Sequence, residues 1–135
     1  MRIVVQKFGG TSVASPETRE LVVGKIAKAQ EQGFQSVVVV SAMGRKGDRY
    51  ATDTLIDLAR TVCKNVNSRE LDLMMCCGEI ISAVVMAGTL QAAGIDAVVL
   101  TGGQAGIMTD NNFSGARILK IDPSRIPGTM RLRRH

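Results

Sequence analysis

Residues 7–12, which read KFGGTS, are of the types that bind phosphate. Two glycines let backbone N–H groups approach an anion without a Cβ in the way, two hydroxyls add donors, and Lys7 supplies a point charge. The segment is neither a Walker A loop, which needs a lysine after its last glycine, nor a G-x-G-x-x-G dinucleotide fingerprint. Taken alone, it is either an anion-binding loop or an ordinary Gly-Gly turn after a strand.

Two further polar residues, Ser41 and Glu79, stand next to apolar sequence. Ser41 follows four valines, so it either faces a ligand at the carboxyl end of a buried strand or simply begins a turn. Glu79 has cysteine, isoleucine and valine neighbours, and a carboxylate in such a setting is costly unless a cation meets it. The alternative for Glu79 is a first-turn glutamate that the helix dipole favours.

Other kinds of catalytic chemistry have little support in the sequence. The only histidine is His135, the last residue, and we find no Ser/His/Asp or Cys/His arrangement for nucleophilic catalysis. The three cysteines, Cys63, Cys76 and Cys77, lack metal-ligand spacing, which indicates reduced, structural thiols in a cytosolic protein. We therefore expect no dedicated metal site.

Composition and charge narrow the class of protein. Of the residues, 45% are hydrophobic but only 3% are aromatic, so the core must be aliphatic. Much of the net charge of +5 comes from four arginines in the last eleven residues, without interleaved stacking aromatics, so we expect no nucleic-acid partner. No stretch approaches 18 uninterrupted apolar residues, and residues 2–8 already resemble a strand. We expect neither a membrane span nor a signal peptide, and hence a cytoplasmic protein.

Strand and helix signals alternate along the chain. Residues 2–8, 37–40 and 97–101 are apolar runs typical of buried parallel strands. Ser15 as N-cap and Pro16 at the first helical position predict a helix that ends near Gly33.

Three more helices are predicted after the second strand. Thr52 or Asp53 opens one, Ser68 opens the next, and the last runs from about Glu79 to Ala93. This order predicts an α/β fold whose parallel sheet has right-handed crossovers and helices on both faces, with ligands at the carboxyl ends of the strands.

The motifs and their order resemble the amino acid kinase superfamily and, within it, the aspartate kinases. The similar segments are KFGGTSV at 7–13, VVVVSAMG at 37–44, residues 51–55 followed by Gly78-Glu79, and LTGGQAGI at 100–107. The loop GRKGDRY at 44–50 most resembles the lysine/diaminopimelate-pathway aspartate kinases of Gram-positive bacteria.

The resemblance implies a three-layer αβα sandwich of amino acid kinase type, of which this chain is the N-terminal part. It also implies transfer of the γ-phosphoryl group of ATP to the β-carboxylate of L-aspartate, with Mg²⁺ bound to the ATP. Because a carboxylate is ionised near neutral pH, this reaction needs no general base, in keeping with the lack of a candidate histidine.

Site roles follow from the same resemblance. Lys7 would stabilise the transferred phosphoryl group, and the surrounding donors would be Gly9, Gly10, Thr11 and Ser12. Ser41, Thr52 and Glu79 would hold aspartate, with Glu79 on its ammonium group, although Thr52 alone is equally explained as a helix N-cap.

The resemblance extends over residues 1–126, and the basic tail at 127–135 lacks the expected helical pattern, as in a truncated or out-of-frame ending. Family members continue into a G-R-G-G-S-D segment and regulatory domains that this sequence does not contain. We therefore expect a chain that is inactive alone and self-associates as a homo-oligomer. The alternatives are a noncatalytic ligand-binding or dimerisation module and, less favoured, a nucleic-acid binder that uses the tail.

Overall fold

The structure, a computed structural model, describes residues 2–127. The chain divides into two compact units, Met1–Val98 and Val99–His135, and each is described by itself. From position 128 onward the expected basic tail lies outside the described residues, so the domain boundary at residue 126 stays a prediction.

The first unit contains a parallel pair of strands, β1 (Arg2–Phe8) and β2 (Phe34–Val40). β1 has the predicted bounds, and β2 begins three residues before the predicted valine run. Phe8 lies opposite Val40, so both strands end at the same edge of the sheet. Just beyond that edge the Ser41 N–H donates to the Phe8 carbonyl at 3.2 Å, which keeps the two following loops together.

Helix α1 (Pro16–Glu31) connects these strands and confirms its sequence signals. Ser15 and Thr18 form a capping box, in which the Ser15 hydroxyl accepts the Thr18 N–H at 3.2 Å and the Thr18 hydroxyl accepts the Ser15 N–H at 3.1 Å. After the helix, Gly33 adopts a φ of +81°, the left-handed conformation that commonly ends helices.

Helix α2 (Thr52–Val62) begins at a predicted residue, but Thr52 is not its N-cap. Ala51 occupies that position and supplies no side-chain hydrogen bond. One turn inside the helix, the Thr54 hydroxyl accepts the Gly47 N–H at 3.1 Å and so ties the preceding loop to the helix. The capping explanation of Thr52 is therefore wrong.

Helix α3 (Ser68–Ala92) is one continuous helix of 25 residues where two were predicted. The prediction of a boundary near Glu79 was wrong because Gly78 is buried within the helix and does not end it. The buried residues of α3 recur every four positions, at Gly78, Ser82, Met86 and Leu90. This seam packs the helix against the rest of the first unit.

By length and composition, α3 is also the one helix among the described residues that could cross a membrane. Its most apolar 18-residue window has a mean hydropathy of 1.9, and 22% of that window is buried. Core helices of soluble proteins meet the same criterion, so the observation is weak evidence. The absence of a membrane partner stays a prediction.

The core of the first unit lies between the sheet and helices α1 and α3. Its buried side chains are Val13, Val22, Ile26, Met43, Met86 and Leu90. Phe8, Val38 and Val40 pack against this cluster from one face of the sheet. On the other face Ile3, Val5 and Val39 are 40%, 66% and 44% exposed.

The α/β class with a parallel sheet is thus confirmed. Among residues 2–127, however, helices pack on one face of that sheet.

The second unit contains an antiparallel pair of short strands, β3 (Ile107–Thr109) and β4 (Ile118–Ile121), which no sequence signal predicted. The predicted strand at residues 97–101 was wrong, since none of those residues lies in a strand. An apolar run becomes a strand only where a partner completes its hydrogen-bond ladder, and the described part of the chain offers it none.

Candidate functional site

An open cleft of about 330 Å³ lies in the first unit where β1 and β2 end. Four predicted site residues line it: Gly10, Ser41, Thr52 and Glu79. They come from the loop after β1, the loop after β2, the start of α2 and the middle of α3. The cleft is at the carboxyl edge of the sheet, where ligands of parallel α/β proteins bind.

The loop after β1 forms a single 3₁₀ turn over Gly10–Ser12. The Ser12 N–H donates to the Gly9 carbonyl at 2.9 Å, and the Arg19 guanidinium donates to the Val13 carbonyl at 2.8 Å. Arg19 of α1 thereby fixes the end of the turn against the helix.

Gly10 has a packing role that the sequence did not reveal. A Cβ there would collide with the Ala42 carbonyl oxygen and would lie 2.8 Å from the Gly44 carbonyl oxygen. The Gly44 N–H also donates to the Gly10 carbonyl at 3.0 Å. The missing side chain therefore allows the two strand-end loops to touch, whereas a Cβ on Gly9 would point into open space.

Four of the predicted phosphate-binding residues do not line this cleft: Lys7, Gly9, Thr11 and Ser12. Lys7 is exposed on β1 and borders a second surface depression, of about 450 Å³, together with Lys25 and Lys28 of α1. The structure thus brings Gly10 together with Ser41, Thr52 and Glu79, and leaves the other four outside the lining of the cleft. The phosphate roles of these four residues stay predictions.

Glu79 is exposed, although its apolar sequence neighbours indicated an apolar setting that is costly for a carboxylate. That expectation was wrong because one residue along a helix is a rotation of about 100°. The buried seam passes through Gly78, so Glu79 is turned away from the core and toward the cleft.

Gly78 itself brings α3 close to the cleft. A Cβ there would lie 2.9 Å from Leu55 Cδ1 of α2, 3.3 Å from the Tyr50 carbonyl oxygen and 3.4 Å from Ala42 Cβ. A Cβ there would require the Leu55 side chain to shift and would press on the Tyr50 carbonyl, so the glycine eases the close approach of the helix at the residue before Glu79.

Three charged cleft residues were missed from the sequence: Arg45, Lys46 and Asp53. The first two belong to the loop at 44–50, which contributed only to the resemblance. Left-handed φ angles of +86° at Gly44 and +98° at Gly47 shape this loop. The sequence shows only two glycines on either side of a charged pair, which is a weak signal of a structured loop because glycine adopts such φ angles readily.

The cleft therefore presents both signs of charge and two hydroxyls to a ligand. Arg45 and Lys46 are cationic, Asp53 and Glu79 are anionic, and Ser41 and Thr52 can donate or accept hydrogen bonds. Such a set complements a small ligand that carries both an ammonium group and an oxyanion. Among residues 2–127, no group of three or more His, Cys, Asp and Glu side chains could hold a metal ion.

The chain is similar in sequence to known proteins. The model of the amino acid kinase family matches residues 2–131. Aspartokinase 1 of Bacillus subtilis is 48% identical over 126 residues, which cover 93% of this chain and 31% of that protein. The aspartokinase of Geobacillus stearothermophilus is 43% identical over 126 residues, with 93% and 30% covered.

A solved structure is similar as well. The crystal structure of aspartate kinase from Synechocystis matches with a TM-score of 0.69 and 41% identity, over 78% of this chain and 17% of that one. The chain spans about 30% of the length of the curated relatives that it matches.

We predict that Gly10→Ala destabilises the chain and that Gly9→Ala does not. The added Cβ at Gly10 meets backbone oxygens that cannot rotate away, so we expect a loss of about 1–3 kcal/mol in the free energy of unfolding. Gly9 has a φ of −73° and open space, so its variant should stay within about 0.5 kcal/mol of the parent. Urea unfolding followed by circular dichroism measures both, and equal effects would contradict the packing role.

Proposed function

The chain belongs to the amino acid kinase family, and on that premise we propose that it carries the aspartate-binding part and the phosphate loop of an aspartate kinase. The reaction is transfer of the γ-phosphoryl group of ATP to the β-carboxylate of L-aspartate. The observation that carries this proposal is the cleft in which Ser41, Thr52 and Glu79 meet the Gly10 turn. The similarity to several aspartokinases supports it.

L-Aspartate, the acceptor of the phosphoryl group, must be positioned by the protein but needs no proton transfer. The β-carboxylate of aspartate is ionised near neutral pH and is itself the nucleophile. We propose that Glu79 binds the α-ammonium group of aspartate and that the hydroxyls of Ser41 and Thr52 orient its carboxylates. The exposure of Glu79 suits this role, because a reversible ligand must reach the carboxylate from solvent.

The phosphate side is proposed to comprise Lys7, Gly9, Gly10, Thr11 and Ser12. Lys7 would offset the charge that develops on the transferred phosphoryl group, and the loop N–H and hydroxyl groups would add donors. Mg²⁺ would arrive bound to the phosphates of ATP, since such ions keep few protein ligands in kinase sites.

We further propose that this aspartate kinase is cytoplasmic and catalyses the first step of aspartate-family amino-acid biosynthesis, in the lysine and diaminopimelate branch. The loop at 44–50 supports this assignment by its resemblance to the Gram-positive enzymes of that branch.

A noncatalytic module that binds ligand or dimerises remains the second candidate. The observation in its favour is the exposed sheet face of Ile3, Val5 and Val39, together with the unpaired edge of β1 among the described residues. Both features favour association with another chain.

We predict that Glu79→Gln weakens L-aspartate binding by about tenfold, because the substitution removes one charge-assisted hydrogen bond to the ammonium group. Isothermal titration calorimetry on the 135-residue chain measures the change. Glu70→Gln is the matched control, since Glu70 is exposed on the same helix but does not line the cleft. Succinate, which lacks the ammonium group, should bind both variants alike. Unchanged aspartate binding by Glu79→Gln would refute the assigned role.

We predict that the 135-residue chain alone forms no appreciable aspartyl phosphate from Mg-ATP and L-aspartate. Holding donor and acceptor in line accounts for roughly 7–11 kcal/mol of such a barrier, and we assign only the acceptor side and the phosphate loop to this chain. Trapping the product as its hydroxamate tests the point. Turnover near the roughly 1–100 per second that is usual for kinases would contradict the assignment.

Self-association is predicted from the exposed sheet face and strand edge. Light scattering at micromolar concentrations should find a dimer or larger species, which Val5→Lys should shift toward monomer by placing a charge on that face. A monomer at every concentration would exclude the dimerisation module, while leaving the aspartate site untouched.

A further inference from the structure

We propose that Arg45 is an oxyanion-binding residue of the cleft, which holds a carboxylate or phosphoryl group of the ligand. The inference rests on the proposed function, in which the ligands are an amino acid with two carboxylates and a phosphoryl group. It adds a residue that no motif at 7–12 or 37–41 contains.

The position of Arg45 is fixed by its backbone. Its N–H donates to Asp48 Oδ2 at 2.7 Å, and its carbonyl accepts the Asp48 N–H at 2.9 Å. The preceding Gly44 is joined to Gly10 across the cleft floor through the 3.0 Å bond from its N–H to the Gly10 carbonyl. The residue is therefore presented to the cleft by an ordered turn, which lowers the entropy that a ligand must offset on binding.

The charge of Arg45 is not neutralised within the described residues. Lys46 forms an ion pair with Asp57, with 3.7 Å between Nζ and Oδ2, and Arg69 forms one with Glu70. Of the two cations that line the cleft, Lys46 thus has a carboxylate on α2 beside it, whereas the Arg45 guanidinium forms no ion pair within 4 Å to a carboxylate of the described residues. Its guanidinium is free to meet a ligand.

The carboxylates in the cleft make such a cation necessary. Asp53 and Glu79 both line the cleft and would repel an anionic ligand that met no positive charge. A guanidinium matches a carboxylate or phosphate with two parallel hydrogen bonds, which a lysine cannot do. A ligand with an ammonium group for Glu79 and an oxyanion for Arg45 satisfies both sides of the cleft.

The test compares Arg45→Gln with Arg49→Gln in the 135-residue chain. Arg49 is an exposed arginine of the same loop that does not line the cleft, so its variant makes the same change of charge beside the site. NMR titrations measure the dissociation constants of L-aspartate, of 3-aminopropanoate, which lacks the α-carboxylate, and of inorganic phosphate. Amide spectra check that each variant is folded.

We expect Arg45→Gln to raise the dissociation constant of L-aspartate, of phosphate or of both by about tenfold, because the substitution removes a charge-assisted pair. Arg49→Gln should leave both dissociation constants within about twofold of the parent values. A loss for aspartate but not for 3-aminopropanoate assigns Arg45 to the α-carboxylate, and an equal loss for both assigns it to the β-carboxylate. A loss for phosphate alone assigns it to the phosphoryl group.

Two results would overturn the inference while the proposed function stands. The first is binding of L-aspartate and phosphate by Arg45→Gln at the affinity of the parent chain, and the second is an equal loss in Arg49→Gln. If the parent chain bound neither ligand, the proposed function would fail together with this inference.

Discussion

The contact between the two strand-end loops is the constraint on which the candidate site depends. Parallel pairing ends β1 and β2 at Phe8 and Val40, and the absent side chain of Gly10 lets the loop after β2 close over the first turn. The 3.0 Å bond between the Gly44 N–H and the Gly10 carbonyl locks this arrangement. Ser41, Arg45 and the start of α2 take their places from that loop.

Local signals predicted the elements that have local causes. α1 carries its own start and stop in Ser15, Pro16 and Gly33, and β1 is an apolar run before a Gly-Gly turn. The secondary-structure predictions were wrong where contacts between residues far apart in the sequence determine the structure. Gly78 suggests a helix boundary in the sequence, but in the structure it is buried close to Leu55 of α2 and α3 continues through it. The pairing of β3 with β4 is likewise invisible in either segment alone.

The residues of the candidate site likewise include some that the sequence identified and some that it missed. The resemblance identified Gly10, Ser41, Thr52 and Glu79, which the fold brings to one cleft from four segments. Arg45 and Lys46 were missed because charges in a surface loop usually indicate only solvation, and Asp53 was missed because an acidic residue in the first turn of a helix is explained by the helix dipole. Backbone conformation distinguishes a solvated surface loop from an ordered loop that faces a ligand, and a sequence does not display the φ angles of Gly44 and Gly47. The four motif residues outside the cleft, Lys7 of β1 and the loop residues Gly9, Thr11 and Ser12, show the converse, since adjacency in a motif does not guarantee a shared surface.

We propose that aspartate binds in the cleft at the carboxyl ends of β1 and β2. A crystal structure of the 135-residue chain soaked with L-aspartate tests it most directly. We expect the amino acid in this cleft, with its ammonium group within hydrogen-bond distance of Glu79 and its carboxylates near Ser41 and Thr52. Aspartate bound instead in the depression beside Lys25 and Lys28, with this cleft empty, would contradict it.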